Sequence, residues 1–209
     1  MMGSGTNNVR LLVQRHVGRQ INALQNGILS DSKAWAGASL AKLRRAAGKM
    51  PGESPDVWGL EFEDLPQELF GRGNEPSRGE WAVHLALTLY AVHQQSQSLP
   101  MHVASDFKHH DYRGMGTAVR RLAATGIGEK LESGEMPRRF SAMVTSESIE
   151  EASHYARQLI HQLRGAGIPL DYVTFSGQLF DFQNPYTRDR VRLEWAREFS
   201  RNPRTTDEE

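Results

Sequence analysis

The side chains best placed to do chemistry in this sequence are cations spaced for one face of a helix. Lys42, Arg45 and Lys49 recur at i, i+3 and i+7, and between Asp31 and Glu53 five bases (Lys33, Lys42, Arg44, Arg45, Lys49) occur with no acid. Bases at that spacing share a face, and without a carboxylate one turn away they suit contact with phosphates. The next stretch has the opposite sign: Glu53 to Glu80 holds eight acids against Arg72 and Arg78. Bases return as the pairs Arg120–Arg121 and Arg138–Arg139, and as a flank of Arg157, His161 and Arg164. Arg190, Arg197 and Arg201 also share a face, but Glu194 and Glu198 interleave there, which predicts self-neutralisation.

Other chemistries are weaker. On a helix His102, Asp106 and His109 would line up as metal ligands, yet Pro100 and Gly114 bracket a stretch with no apolar stripe, so a solvated polar loop is expected. The one enzyme reading joins His84, His110–Asp111 and Asp171 as an H…HD…D set, the ligand pattern of helical metal-dependent phosphohydrolases that activate water. Those ligands need packed helices, whereas His110–Asp111 lies between Lys108 and Arg113 in loop-like surroundings. Arg113-Gly-Met-Gly116 contains a G-x-G, but no strand precedes it to aim a helix at a phosphate. Ser176–Gly177 lacks the G-x-S-x-G elbow. His84 and His93, nine residues apart, read as hydrogen-bonded core histidines. Trp35, Trp58, Trp81 and Trp195 fall in or near apolar stripes, so no platform for stacking bases is predicted.

The elements that position these groups all read as helices. From Trp81 to Val92 only His84 and Thr88 are polar, so apolar groups point in every direction around the turn and the helix must be buried. Ser77 and Glu80 form a capping box at its start. About twelve apolar residues are too few for a membrane span, which needs roughly twenty, so other helices must cover it. Val9 to Ile28 repeats at three and four. Ala36, Leu40, Leu43 and Ala47 form a stripe after caps at Asp31 and Ser32. Short helices follow over 115–124 and 137–144. Ser148 and Glu151 suggest a second box before a helix ended by Gly165, and segments 170–182 and 188–200 complete the set, the last capped by Thr187.

No run alternates with period two, so the expected fold is all-α, two small helical bundles packed together without a sheet. The periodicity fails between Ser98 and Gly114, which places a seam near Lys108 and divides the chain into 9–107 and 108–204, with 1–8 and 205–209 disordered. Of the 209 residues, 38% are hydrophobic and 24% charged, too polar for an integral membrane protein. No cysteine and no signal peptide occur, so the expected location is cytoplasmic. Lys plus Arg (25) equals Asp plus Glu (25); the distribution of charge, not its total, argues for a polyanionic partner.

Seven segments in order carry a resemblance. They are Ala34–Trp35 with Leu40-Ala-Lys-Leu-Arg-Arg45, Leu87-Thr-Leu-Tyr-Ala-Val-His-Gln94, Met101–His102, Met115-Gly-Thr-Ala-Val-Arg-Arg-Leu122, Arg138-Arg-Phe140, Gly167-Ile-Pro-Leu-Asp-Tyr172 and Arg188-Asp-Arg-Val-Arg-Leu-Glu-Trp195. Together they resemble the CasB small-subunit family of the type I-E CRISPR Cascade complex over nearly the whole chain. The resemblance implies a helical, non-enzymatic subunit without cofactor, dimeric within a ribonucleoprotein that carries guide RNA and other Cascade subunits. It further implies backbone contact with target DNA and the displaced strand, stabilising the R-loop in antiviral defence. Carried over by position, its nucleic-acid-binding arginines fall on Lys42, Arg44, Arg45, Arg120, Arg121, Arg138 and Arg139, and Lys49 joins them from the stripe. Lys42 stands where arginine is common, keeping charge but not bidentate geometry. Neighbours such as Arg44 and Arg45 point about 100 degrees apart on a helix, so one of each pair is open to binding protein instead.

Overall fold

The computed structural model describes residues 3–30, 32–126 and 136–201, with side chains from Asn8 onward. The described residues form nine α-helices: α1 (Gly3–Ile28), α2 (Lys33–Ala46), α3 (Trp58–Glu61), α4 (Arg78–Gln94), α5 (Met115–Ala124), α6 (Arg138–Thr145), α7 (Ile149–Ala166), α8 (Tyr172–Phe182) and α9 (Pro185–Ser200). The fold is all-α, as the periodicity predicts. Among the described residues no strand forms; two isolated bridges, His102 with Leu170 and Asp106 with Asp111, stiffen the 98–114 loop.

Every residue from Trp81 to Gln94 on α4 is buried, and α1, α2, α7 and α8 pack around it. The capping box is present: Ser77 Oγ accepts from the Glu80 amide at 3.0 Å, and the Glu80 carboxylate accepts from the Ser77 amide at 2.6 Å. Apolar residues from α1, α2, α4, α5, α7, α8 and α9 join in one continuous core that runs across the 98–114 loop.

Each polar side chain that α4 carries inward finds a partner, although His93 Nε2 is buried without one. His84 places Nδ1 2.7 Å from Glu61 Oε1 and Nε2 3.0 Å from the Lys49 carbonyl, tying α3, α4 and the turn after α2 together. Both ring nitrogens are thus engaged, one by a side chain and one by the backbone. Tyr172 donates its hydroxyl proton to Leu89 O at 3.2 Å and lies 3.1 Å from His93 Nδ1. Thr88 donates to His84 O within its own helix.

Several boundaries differ from the sequence expectation. α1 starts at Gly3, inside the leader expected to be disordered. α7 continues through Gly165 and stops at Gly167, whose φ of 64° gives the left-handed cap that glycine adopts without strain. α9 begins at Pro185 rather than Arg188, because the Asn184 side chain accepts from the Tyr186 amide at 3.2 Å and Pro185 suits a first helical turn. α8 begins after Asp171, whose carboxylate caps Thr174, and Leu170 is held by the bridge to His102. Only half of the second box forms: Ser148 Oγ accepts from Glu151 N, while the Glu151 carboxylate accepts from Glu147 N. Ser32 is the N-cap of α2 without a side-chain bond, and Asp31 and 205–209 lie outside the described residues.

The G-x-G motif has a packing role. Gly114 and Gly116 let α5 close onto α9, where any Cβ would collide with Glu198 or the Trp195 carbonyl, and the Glu198 carboxylate accepts from the Gly116 amide at 2.9 Å. Burial pushes Glu198 above the ordinary carboxylate range.

Burial holds the His93 imidazole down at about 4 and also lowers His16 and His102. The unfolded chain takes up protons below about 6.5 that the folded chain refuses, so this stability is complete above pH 6.5 and is lost as pH falls towards 4. Urea unfolding between pH 7 and pH 4 should show wild type losing roughly 3 kcal/mol more than His93→Gln. Parallel losses would place the acid sensitivity elsewhere.

Candidate nucleic-acid interface

The basic surface begins where α2 stops. Leu40 and Leu43 face the core, which leaves Lys42 and Arg45 exposed and Arg44 half-buried, with both arginines in the last turn, where cations complement the helix dipole. The helix ends at Ala46, and Gly48 at φ 92° turns the chain away. Lys49 is therefore not the third member of a helical stripe. It lies on the following turn, exposed, with its carbonyl directed inward to His84.

That turn meets α7. The Arg157 guanidinium occupies the space where a side chain on Gly48 would stand. Burial lowers the Arg44 pKa, and the charges of Arg45 and Arg164 lower it further; burial, then Arg164 and Arg157, likewise lower His161. Such mutual repulsion marks a cationic group that spans two helices. The sequence shows the α7 flank but does not join it to α2, because nothing in the local pattern reports which helices lie close.

One acid does reach the group, against expectation. Asp56, on the 3-10 turn Pro55–Val57, sits 3.3 Å from Arg45, both side chains more than half exposed. An exposed pair of this kind is screened by solvent, contributes little to stability and yields to a competing phosphate. No described carboxylate makes an ion pair with Lys42, Arg44, Lys49, Arg157 or Arg164; Arg164 instead donates to the Gln95 side chain at 2.8 Å.

The other predicted cations sit apart from this group. On α5, Arg121 is bound at 3.0 Å to Asp111, which also holds Arg113. Burial lowers the Arg120 pKa, with Arg121 adding to it, and the Arg120 Nε is buried without an acceptor. Arg138 is exposed at the start of α6, and Arg139 donates to Gln158 at 2.8 Å. Two tryptophans are more open than their stripes suggest: Trp35 is 48% and Trp58 47% exposed, while Trp81 and Trp195 are buried. Trp35 directly precedes Ala36, so it points about 100 degrees from the apolar face, a signal already in the sequence.

The H…HD…D residues do not assemble. His84 is engaged with Glu61 in the core, Asp111 with two arginines, and Asp171 with the Thr174 and Ser105 amides. His102 accepts from the Tyr172 amide in the interior, whereas Asp106 and His109 bond each other at the exposed loop tip. Among the described residues no three metal-ligating side chains converge.

Fold and surface together define an all-α protein wrapped on a buried central helix, with a cationic patch where α2 meets α7. Residues 39–199 match the family profile of the CRISPR-associated protein Cse2. The crystal structure of CasB from Thermobifida fusca superposes with a TM-score of 0.69 at 31% identity, covering 91% of this chain and 98% of that one. The chain belongs to the Cse2 family, also called CasB, of the type I-E CRISPR Cascade complex. A CRISPR-associated protein of the Cse2 family from Thermus thermophilus (19% identity, 88% of this chain, 96% of that chain, TM-score 0.59) has the same fold. So does a structure of CasB from Thermus thermophilus (22% identity, 88% of this chain, 96% of that chain, TM-score 0.55). No curated protein matches the sequence. Membership makes other Cascade components its partners, and no described helix is long and apolar enough to cross a membrane.

The closeness of Gly48 to Arg157 is testable by stability. Gly48→Ala meets both a left-handed backbone and the guanidinium, whereas Gly52→Ala, at φ 85° with open space around it, meets backbone strain alone. Each should destabilise by about 1–3 kcal/mol through the left-handed backbone, and to a similar degree, because the guanidinium at Gly48 is the far end of a flexible side chain that can swing aside. A Gly48→Ala cost well above that of Gly52→Ala, and relieved in an Arg157→Ala background, would mean that Arg157 is held rigidly over the turn.

Proposed function

We propose that this chain is the non-catalytic small subunit that holds nucleic-acid backbone in Cascade, as a homodimer beside the guide RNA and the other subunits, and so stabilises the R-loop during antiviral defence. The observation that carries the reading is the α2–α7 cationic group, in which, among the described residues, Arg45 alone has a carboxylate partner. Exchange of a DNA duplex for a guide–target heteroduplex is nearly balanced in free energy, so a few cations that neutralise phosphates tip it without reading bases. Sequence is supplied by pairing with the guide. The acid-rich stretch 53–80 would repel phosphates and suits solvent or a protein neighbour.

Arg157 joins the predicted set here, and Arg121, bound to Asp111, leaves it. Arg120, Arg138 and Arg139 form a second tier, on helices other than the pair that builds the patch. Changing Lys42, Lys49 and Arg157 to Glu in the reconstituted complex should weaken target binding. It should also make the slope of log K against log salt shallower by roughly 2 to 3, the counterions of about three phosphates. Guide-RNA assembly and dependence on target sequence should stay as in wild type. An unchanged affinity and slope would move strand contact to the α5 and α6 arginines.

A further inference from the structure

A cleft of about 290 Å³ opens beside the cationic patch, between the turn after α2, the outer side of α4 and the first turns of α7. Its floor is Trp81, Leu85, Thr88 and Leu89 of α4, apolar but for the Thr88 hydroxyl, whose proton is given to His84 O within the helix. Its mouth is charged, with Lys49 from one wall and Arg157 from the other. Glu150 and Ser153 form the third side, Ser153 Oγ donating to the Glu150 carbonyl at 2.7 Å.

We infer that this cleft receives one unpaired nucleobase of the displaced strand, whose flanking phosphates lie on Lys49 and Arg157. The inference rests on the backbone reading above and adds a base site to it. Size favours a single base, since pockets for drug-sized ligands start at about 300 Å³. The pairing of surfaces favours a nucleotide over simpler occupants. An inorganic anion would gain nothing from the apolar floor, and an aliphatic side chain nothing from the two cations. A base is apolar on its faces and tethered to anions on both sides, which is the complement of this cleft. The displaced strand is the one whose bases are unpaired in an R-loop, so eversion carries no cost of breaking pairs.

Glu150 fixes the orientation. A carboxylate at the third side repels phosphate from the cleft interior and accepts from an exocyclic amine, which cytosine and adenine offer and thymine does not. Base inward and phosphates outward is the arrangement that satisfies Glu150, Lys49 and Arg157 together.

The test compares two pre-opened targets in the reconstituted complex, identical in target strand and both without base pairs over the guided segment, so that neither has a duplex to unwind: a natural one whose displaced strand carries mismatched bases, and one whose displaced strand is built of abasic tetrahydrofuran units. Wild type should bind the natural target about tenfold tighter or more, the usual effect of one well-held base. Ser153→Trp, which fills the cleft mouth without changing charge, should bring the natural target down to the abasic one while the salt slope stays at its wild-type value. Equal wild-type affinities with the slope intact would overturn the base site and leave the backbone reading standing. Loss of the slope in Ser153→Trp would also overturn it, since the cleft would then be part of the charged contact. Absence of both base dependence and slope in wild type would overturn the two readings together. The comparison of targets needs no variant, so it decides even if Ser153→Trp fails to fold.

Discussion

A helix with no polar face obliges the rest of the chain to enclose it. Full burial of each Val or Leu along α4 is worth about 1.5–3 kcal/mol, and those side chains point to all sides, so no single neighbour can collect that energy. Four helices from both halves of the sequence therefore surround α4, and the core is continuous where the loop at 98–114 interrupts the chain. Enclosure also dictates the polar interior. Whatever α4 carries inward must find a partner there, and His84 with Glu61, His93 with Tyr172 and Thr88 with its own backbone do so, His93 Nε2 alone among these being left without one. The cationic surface is a by-product of the same packing, because α2 and α7 both lie against α4 and bring their outward faces side by side.

The cations of the molecule divide by what holds them. Arg10 of α1 and Arg190 of α9 both end on Asp181, a carboxylate 1% exposed, each at 2.8 Å, and so fasten two helices to α8. Arg188 and Arg192 share Glu147, tying α9 to the start of α7, and Arg113 and Arg121 share Asp111. These arginines tie elements together, and at Asp181, the one buried carboxylate of the three, removing both arginines would leave an uncompensated charge. Among the described residues, the group at α2 and α7 has no such fastening beyond the exposed Arg45–Asp56 pair. A protein with equal numbers of acids and bases thus still presents a surface of one sign.

What could be read in the sequence was whatever is local. Helix periods, the Ser77–Glu80 box and the all-round apolarity of α4 depend on residues within a few turns of each other, and the structure agrees with them. Boundaries were less legible because a glycine is an equally good stop at Gly165 and Gly167, and only the left-handed backbone at the latter decides. Spacing alone puts Lys49 on a helix, continuing the period of Lys42 and Arg45, although the helix ends at Ala46 and Gly48 turns the chain. The partner of His84 lies 23 residues away and that of Arg45 lies 11 away across a turn, beyond any helical spacing. The meeting of Gly48 with Arg157 spans more than half the chain and is a property of packing alone. Family resemblance places cations on α2, α5 and α6 but does not separate Arg121, ion-paired with Asp111, from Lys42, which makes no ion pair among the described residues.

The bond from His84 to the Lys49 carbonyl has a consequence for how the patch engages a ligand. A basic residue on a loose turn gives up backbone freedom when it grips a phosphate, and that loss of entropy subtracts from the affinity. Here the peptide group of Lys49 is anchored to a ring that is itself locked against Glu61 inside the core, so its backbone is already ordered before anything binds. Only the four-carbon side chain remains to be restrained. The cation is displayed from a fixed post rather than a swinging arm.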